Sequence, residues 1–188
     1  MSLKLYIDGC SLTYGHGLPR EQSLGHLFHE LGQYQVTDMS RPGKSNLAIA
    51  NDVYLNAATH DVFVIGWTFS SRFGIKYNNE NLDFFVGWHG NGAGFKDEKL
   101  DQAFAQVYKY FYTVFGPPYS DQLSNMLVDT TMAFLQDRKA VAFSWEPRDT
   151  NYSLLMPYFG PEHRLFDGHL TAEGTRILYD SIQKELDV

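Results

Sequence analysis

The chain has 1 cysteine in 188 residues, so no internal disulfide can staple it, and its compartment is not legible from cysteine pairing. Basic residues are scarce: 15 Lys and Arg stand against 22 Asp and Glu, a net charge of −7. Nucleic acids are gripped through clustered Lys and Arg, and the absence of such a patch argues against that partner. No apolar stretch approaches the ~20 residues that span a bilayer, and no basic segment followed by an apolar run opens the sequence. The expectation is a cytoplasmic protein without a membrane partner. Repeats and low-complexity tracts are missing too. What is present is ordinary in bulk, 44% apolar and 20% charged, and predicts one globular domain over residues 1–188. Aromatics, at 15%, are the surplus; they suit a core or the walls of a cleft for sugars and flat apolar groups.

Apolar periodicity alternates between strand and helix signatures. Leu3 to Asp8 reads as a first strand. Ser23 is a good N-cap for a helix with Leu24, Leu27, Phe28 and Leu31 on one face. Tyr34 to Met39 reads as a second strand, and Ser45 caps a helix presenting Leu47, Ala50, Tyr54 and Ala57. The unbroken apolar run from Asp61 to Trp67 predicts a buried central strand. Residues 70–97, rich in Gly, Asn and aromatics, read as an insertion beside the site. Glu98 to Phe115 and Ser120 to Asp137 are two helices parted by Gly116-Pro117-Pro118. In the first, Val107, Phe111, Val114 and Phe115 form an expected core stripe. Lys139 to Trp145 is a strand, and Thr171 to Leu186 a closing helix with Leu178, Ile182 and Leu186 in register. This order predicts a mainly parallel sheet with helices on both faces.

In open parallel sheets ligands bind at the carboxyl ends of the strands, so the loops leaving the strands hold the candidates. Gly9-Cys10-Ser11-Leu12-Thr13-Tyr14-Gly15 leaves strand one and places Ser11 at that edge. A serine hydroxyl is a weak nucleophile until a base takes its proton. His169, in Phe166-Asp167-Gly168-His169 before the last helix, reaches the same edge, with Asp167 or, in its stead, a backbone carbonyl to orient the ring. A tetrahedral intermediate needs donors aimed at its oxyanion. The candidates are the N–H groups of Ser11 and of Gly43, the latter in Arg41-Pro42-Gly43-Lys44-Ser45-Asn46, with Thr68 or Asn46 adding a side-chain donor. Cys10 is the rival nucleophile. Adjacent residues leaving a strand point apart, however, and the register favours Ser11 and makes Cys10 a buried filler. His16, Trp67 and Arg72 are candidates for substrate contact, and the tryptophans Trp67, Trp88 and Trp145 suit cleft or core equally. His26, His29 and Glu30 lack a further fixed ligand and read as a surface group, so no metal is expected.

These blocks resemble those of the SGNH, or GDSL, hydrolases. The first is similar to the family's Gly-Asp-Ser-Leu-Thr-x-Gly, with Cys10 in the aspartate's place. Gly43 matches the second-block glycine and His169 the last-block histidine. The blocks are short, but their order and strand placement extend over nearly the whole chain. The resemblance implies a flavodoxin-like three-layer α/β/α sandwich with a mainly parallel five-stranded sheet. It implies hydrolysis or transfer of esters, often acetyl groups on carbohydrates, with no metal or organic cofactor. Two blocks depart from the pattern. The third, usually Gly-x-Asn-Asp, reads Gly66-Trp67-Thr68-Phe69 and lacks the asparagine donor. The last, usually Asp-x-x-His, has Phe166 in the aspartate's place, with Asp167 one residue nearer. The opening block, with Ile65-Gly66-Trp67-Thr68 and Arg72, is similar to a divergent branch of the family found in phage-like sequences.

The expected function is a serine esterase acting on a small-molecule or glycan ester, an acetyl ester first of all. The alternative is a glycan-binding or structural module on the same fold, with catalysis lost through the altered third and last blocks. A flavodoxin-like nucleotide binder is set aside, because neither Gly-x-Gly-x-x-Gly nor a P-loop lysine follows strand one.

Overall fold

A computed structural model describes residues 2–77, 80–85, 98–156 and 158–187. Its strands are β1 (Leu3–Gly9), β2 (Tyr34–Asp38), β3 (Val62–Trp67), β4 (Arg72–Tyr77), β5 (Glu80–Phe85) and β6 (Lys139–Ser144). Its α-helices are α1 (Ser11–Tyr14), α2 (Leu24–Glu30), α3 (Asn46–Asn56), α4 (Glu98–Phe134) and α5 (Ala172–Leu186). Four strands form one parallel sheet in the order β2-β1-β3-β6, and β4 and β5 pair as a separate antiparallel hairpin. The chain winds outward from β1 to β2 on one side and from β1 to β3 on the other. The sheet therefore reverses between β1 and β3, and the crevice outside their carboxyl ends is where such sheets bind ligands.

Side chains of a strand alternate between faces, and the core divides accordingly. Leu5, Ile7, Val62, Val64, Val141 and Phe143 pack under α2 and α5. Tyr6, Phe63, Ile65, Trp67 and Ala142 pack under α3 and the second arm of α4. Ser23 and Ser45 cap their helices as expected, accepting from the N–H of His26 and Ala48, and Thr171 does the same for α5 through Gly174. Gly116, at φ 67° and ψ −179°, breaks α4 into two arms where Pro117 and Pro118 follow.

Several expectations are corrected. The buried apolar residues of α3 are Ala48, Ile49, Ala50 and Val53, with Ala57 buried at its C-cap, whereas Leu47 and Tyr54 are exposed. Val114 and Phe115 of the expected stripe are exposed as well; the side chains of Val107 and Phe111 lie outside the described ones. The expected fifth parallel strand is reduced to one parallel bridge, Phe143 with Leu155, whose backbone bonds extend the edge beyond β6. Of the expected insertion, residues 72–77 and 80–85 form the hairpin, and 86–97, with Trp88, lie outside the described residues.

Candidate active site

Strand β1 delivers the chain directly into the site. Cys10, extended at φ −93° and ψ −163°, is the N-cap of α1, a single turn closed by Gly15 in the left-handed region (φ 77°). Ser11 thus opens a helical turn rather than lying in a loop, and its carbonyl accepts the His16 N–H at 2.9 Å. The turn sits flat on the sheet because of two glycines. Gly9 and Gly66 are register partners across β1 and β3, and a Cβ on either would collide with Thr13 Oγ1. On Gly66 it would also come within 2.6 Å of Phe143 Cζ. Cys10 is fully buried with a free thiol, as the filler reading expected. Ser11 is 5% exposed.

The loop before α5 brings the second group. His169 Nδ1 stands 3.0 Å from Asp167 Oδ2, within ion-pair range but off the line of a hydrogen bond. The His169 N–H donates to Asp167 Oδ1 at 3.1 Å. That backbone bond is the main reason the Asp167 carboxyl is held below the ordinary aspartate range. On its other flank the His169 ring packs against His16, with centroids 4.8 Å apart. His16 follows the turn that begins with Ser11, so Asp167, His169, His16 and Ser11 form one contiguous path. No direct hydrogen bond joins Ser11 to His169 among the described residues. Phe166 is fully exposed.

The β2–α3 loop brings the third group. Arg41-Pro42-Gly43-Lys44 is a turn with the Lys44 N–H on Arg41 O at 3.4 Å and Gly43 at φ 80°. Proline second and a left-handed glycine third is the sequence of a type II turn. Nothing lies within 4 Å of where a Gly43 Cβ would be, so the glycine answers to conformation, not crowding. Asn46 leaves the set of oxyanion donors. Its amide hydrogens are committed to Thr68 O at 3.1 Å and Ser124 Oγ at 3.0 Å, and its oxygen accepts the Thr68 N–H at 2.9 Å. It is a clamp on the exit of β3. Thr68 O also accepts from the buried Arg148, whose Nε donates to Ser144 Oγ at 2.9 Å. Thr68 Oγ1 is buried and has no partner among the described residues.

Beneath the Gly43 turn lies a charge cluster that the sequence does not announce. Lys44, wholly buried, donates from Nζ to both oxygens of Asp8 at 2.6 and 2.7 Å and to Met39 O at 3.1 Å. The same ammonium pairs with Asp52 of α3 at 2.6 Å. Asp8 also accepts from Tyr6 OH at 2.8 Å and from the Gly9 N–H at 2.7 Å. Burial pushes the Asp8 carboxyl up to about 7 despite the ammonium, and drives the Tyr6 phenol upward as well. A lysine inside Pro-Gly-Lys-Ser reads as a solvated turn residue, and no periodicity marks it as buried.

Of the residues expected to touch substrate, Trp67 is corrected: it is fully buried in the core under α3 and α4. Its place in β3, whose residues are all buried, puts it inside the sheet layer. Arg72 opens β4 with its guanidinium 5.6 Å from the Phe69 ring centre. Together with Asn46, Leu47, Gly74 and Ser124 it lines a cavity of about 150 Å³. His16 is exposed beside His169. Trp145 packs on Phe143 and Phe159.

No protein-family model matches the chain, and no curated protein matches it in sequence. Among solved structures it is similar to TesA, at 17% identity over 97% of each chain and a TM-score of 0.45. It is similar to the psychrotrophic esterase EstA from Pseudoalteromonas sp., at 15% identity over 100% of each chain and a TM-score of 0.44. A member of the lipolytic protein G-D-S-L family from Veillonella parvula DSM 2008 is similar at 11% identity over 97% of each chain, with a TM-score of 0.44.

Proposed function

We propose that the protein is a serine esterase that cleaves a small acyl ester, an acetyl ester of a carbohydrate being the first substrate class. The observation that carries this reading is convergence. Ser11 at the start of α1, the Gly43 turn and the His169–Asp167 pair belong to three separate segments that meet the edge where the sheet reverses. In this reading the Asp167 carboxylate 3.0 Å from Nδ1 favours the proton on that nitrogen by its charge, leaving Nε2 to take the Ser11 proton and return it to the leaving alcohol. The Ser11 and Gly43 N–H groups hold the oxyanion, with the uncommitted Thr68 hydroxyl as a third donor. His16 borders the alcohol side through its contact with His169, and Arg72 lies on the wall of the cavity beside Asn46.

Turnover of a small activated acetyl ester by the wild type and by Ser11→Ala tests it. The expected loss in kcat is at least about 10³-fold; equal, background-level rates would remove the proposal. The lack of a direct Ser11–His169 hydrogen bond favours one second reading, a glycan-binding module without catalysis. That module would bind acetylated oligosaccharides equally well as wild type and as Ser11→Ala, and would release no acetate.

A further inference from the structure

Lysine is among the costliest side chains to bury, because desolvating its ammonium carries a penalty that pairing must offset. A methionine would fill a similar volume without that cost. Lys44 nevertheless sits wholly buried next to Gly43, with one ammonium facing two carboxylates. Its bonds reach three parts of the fold: Asp8 on β1, the Met39 carbonyl just past β2, and Asp52 on α3. The other end of the same turn is held on β1 as well, through the Arg41 N–H on Gly9 O at 3.1 Å. Gly43 therefore hangs between two tethers to residues 8 and 9, which lead through Cys10 into Ser11. From outside, Asp83 of β5 pairs with Arg41 and accepts the Ser45 N–H at 2.9 Å. That contact bounds the turn but does not link it to β1.

We infer that Lys44 is a positioning residue: gripping Asp8 and Asp52, its ammonium fixes the Gly43 N–H relative to Ser11 and so sets the oxyanion geometry. The inference rests on the esterase reading and adds to it a residue that touches neither substrate nor oxyanion. A small displacement of a donor is enough to matter, since about 1 Å can cost about 10²-fold in rate.

Two variants test it, Lys44→Met and Lys44→Met with Asp8→Asn. The single change takes the ammonium away from the fully buried Asp8 and is expected to lower Tm. The double change puts a neutral amide where the buried acid has lost its ammonium and is expected to recover much of that Tm without restoring the tether. With an activated acetyl ester, the folded double variant should keep a kcat about 10²-fold below wild type, with KM within about 3-fold, because ground-state binding does not use the oxyanion donors. A double variant with wild-type kcat would overturn the inference and leave Lys44 a merely structural charge; so would a loss confined to KM. A wild type whose turnover is unchanged by Ser11→Ala would instead remove the esterase reading itself, which is a separate result.

Discussion

At the scale of single residues, the decisive question is where polar atoms find partners. Asn46 has the right side chain for an oxyanion donor and the wrong commitments, since both amide hydrogens and its oxygen are engaged. Replacing it with alanine would strand the buried Thr68 N–H. Asn46→Ala should therefore cost about 1–3 kcal/mol in denaturant unfolding. Asp8 gives a pH signature. Burial raises its carboxyl to about 7 in the fold, above the 3.8 of the free side chain. Between those values the folded state binds more protons than the unfolded one, so this group's contribution to stability falls as pH rises and is level above the folded value. The groups facing Asp8 are Tyr6 on its own strand, Lys44 on the turn and Asp52 on α3. The unfolding free energy of wild type minus that of Asp8→Asn should accordingly decline between about pH 4 and 7. A flat difference would show that Asp8 is ionised across that range.

At the scale of elements, the short turn α1 and the strand ends form one steric unit. Gly9→Ala pushes a methyl group into Thr13 and toward Gly66 O, 3.0 Å away. Such overpacking should destabilise by about 1–3 kcal/mol, and because it lifts α1 it should also slow the proposed acylation of Ser11. Normal stability in Gly9→Ala would mean that the turn can move freely on the sheet. Much at this scale is readable from the sequence. Apolar runs locate all four strands of the parallel sheet, and Ser23 and Ser45 declare two helix starts through their capping chemistry. The face of α3 is misleading because Leu47 and Tyr54 are apolar yet exposed, while the small Ala48 and Ala50 are inside. Side-chain size alone does not say which side of a mixed helix meets the sheet.

At the scale of the whole molecule, the parallel topology gathers residues from distant parts of the chain to one edge, which is why the candidate site is partly legible from strand order. Ser11, Gly43 and His169 each emerge from asking which loop leaves or re-enters the sheet at its carboxyl edge. The burial of Trp67 follows from the apolar run that ends on it, but the commitments of Asn46 and the cluster around Lys44 are not legible, since each depends on partners far along the chain. Asp8 lies 36 residues from Lys44, and Asn46 lies 78 from Ser124. No local pattern encodes those pairings. A single covalent experiment bears on the assembled edge most directly. The intact protein is treated with a fluorophosphonate, and the modified peptide is identified by mass spectrometry. One adduct per chain is expected, on Ser11, with its rate of formation reduced at least about 10²-fold in His169→Ala. A label on Cys10 or on another serine, or labelling of Ser11 that ignores the loss of His169, would contradict the proposed nucleophile and base.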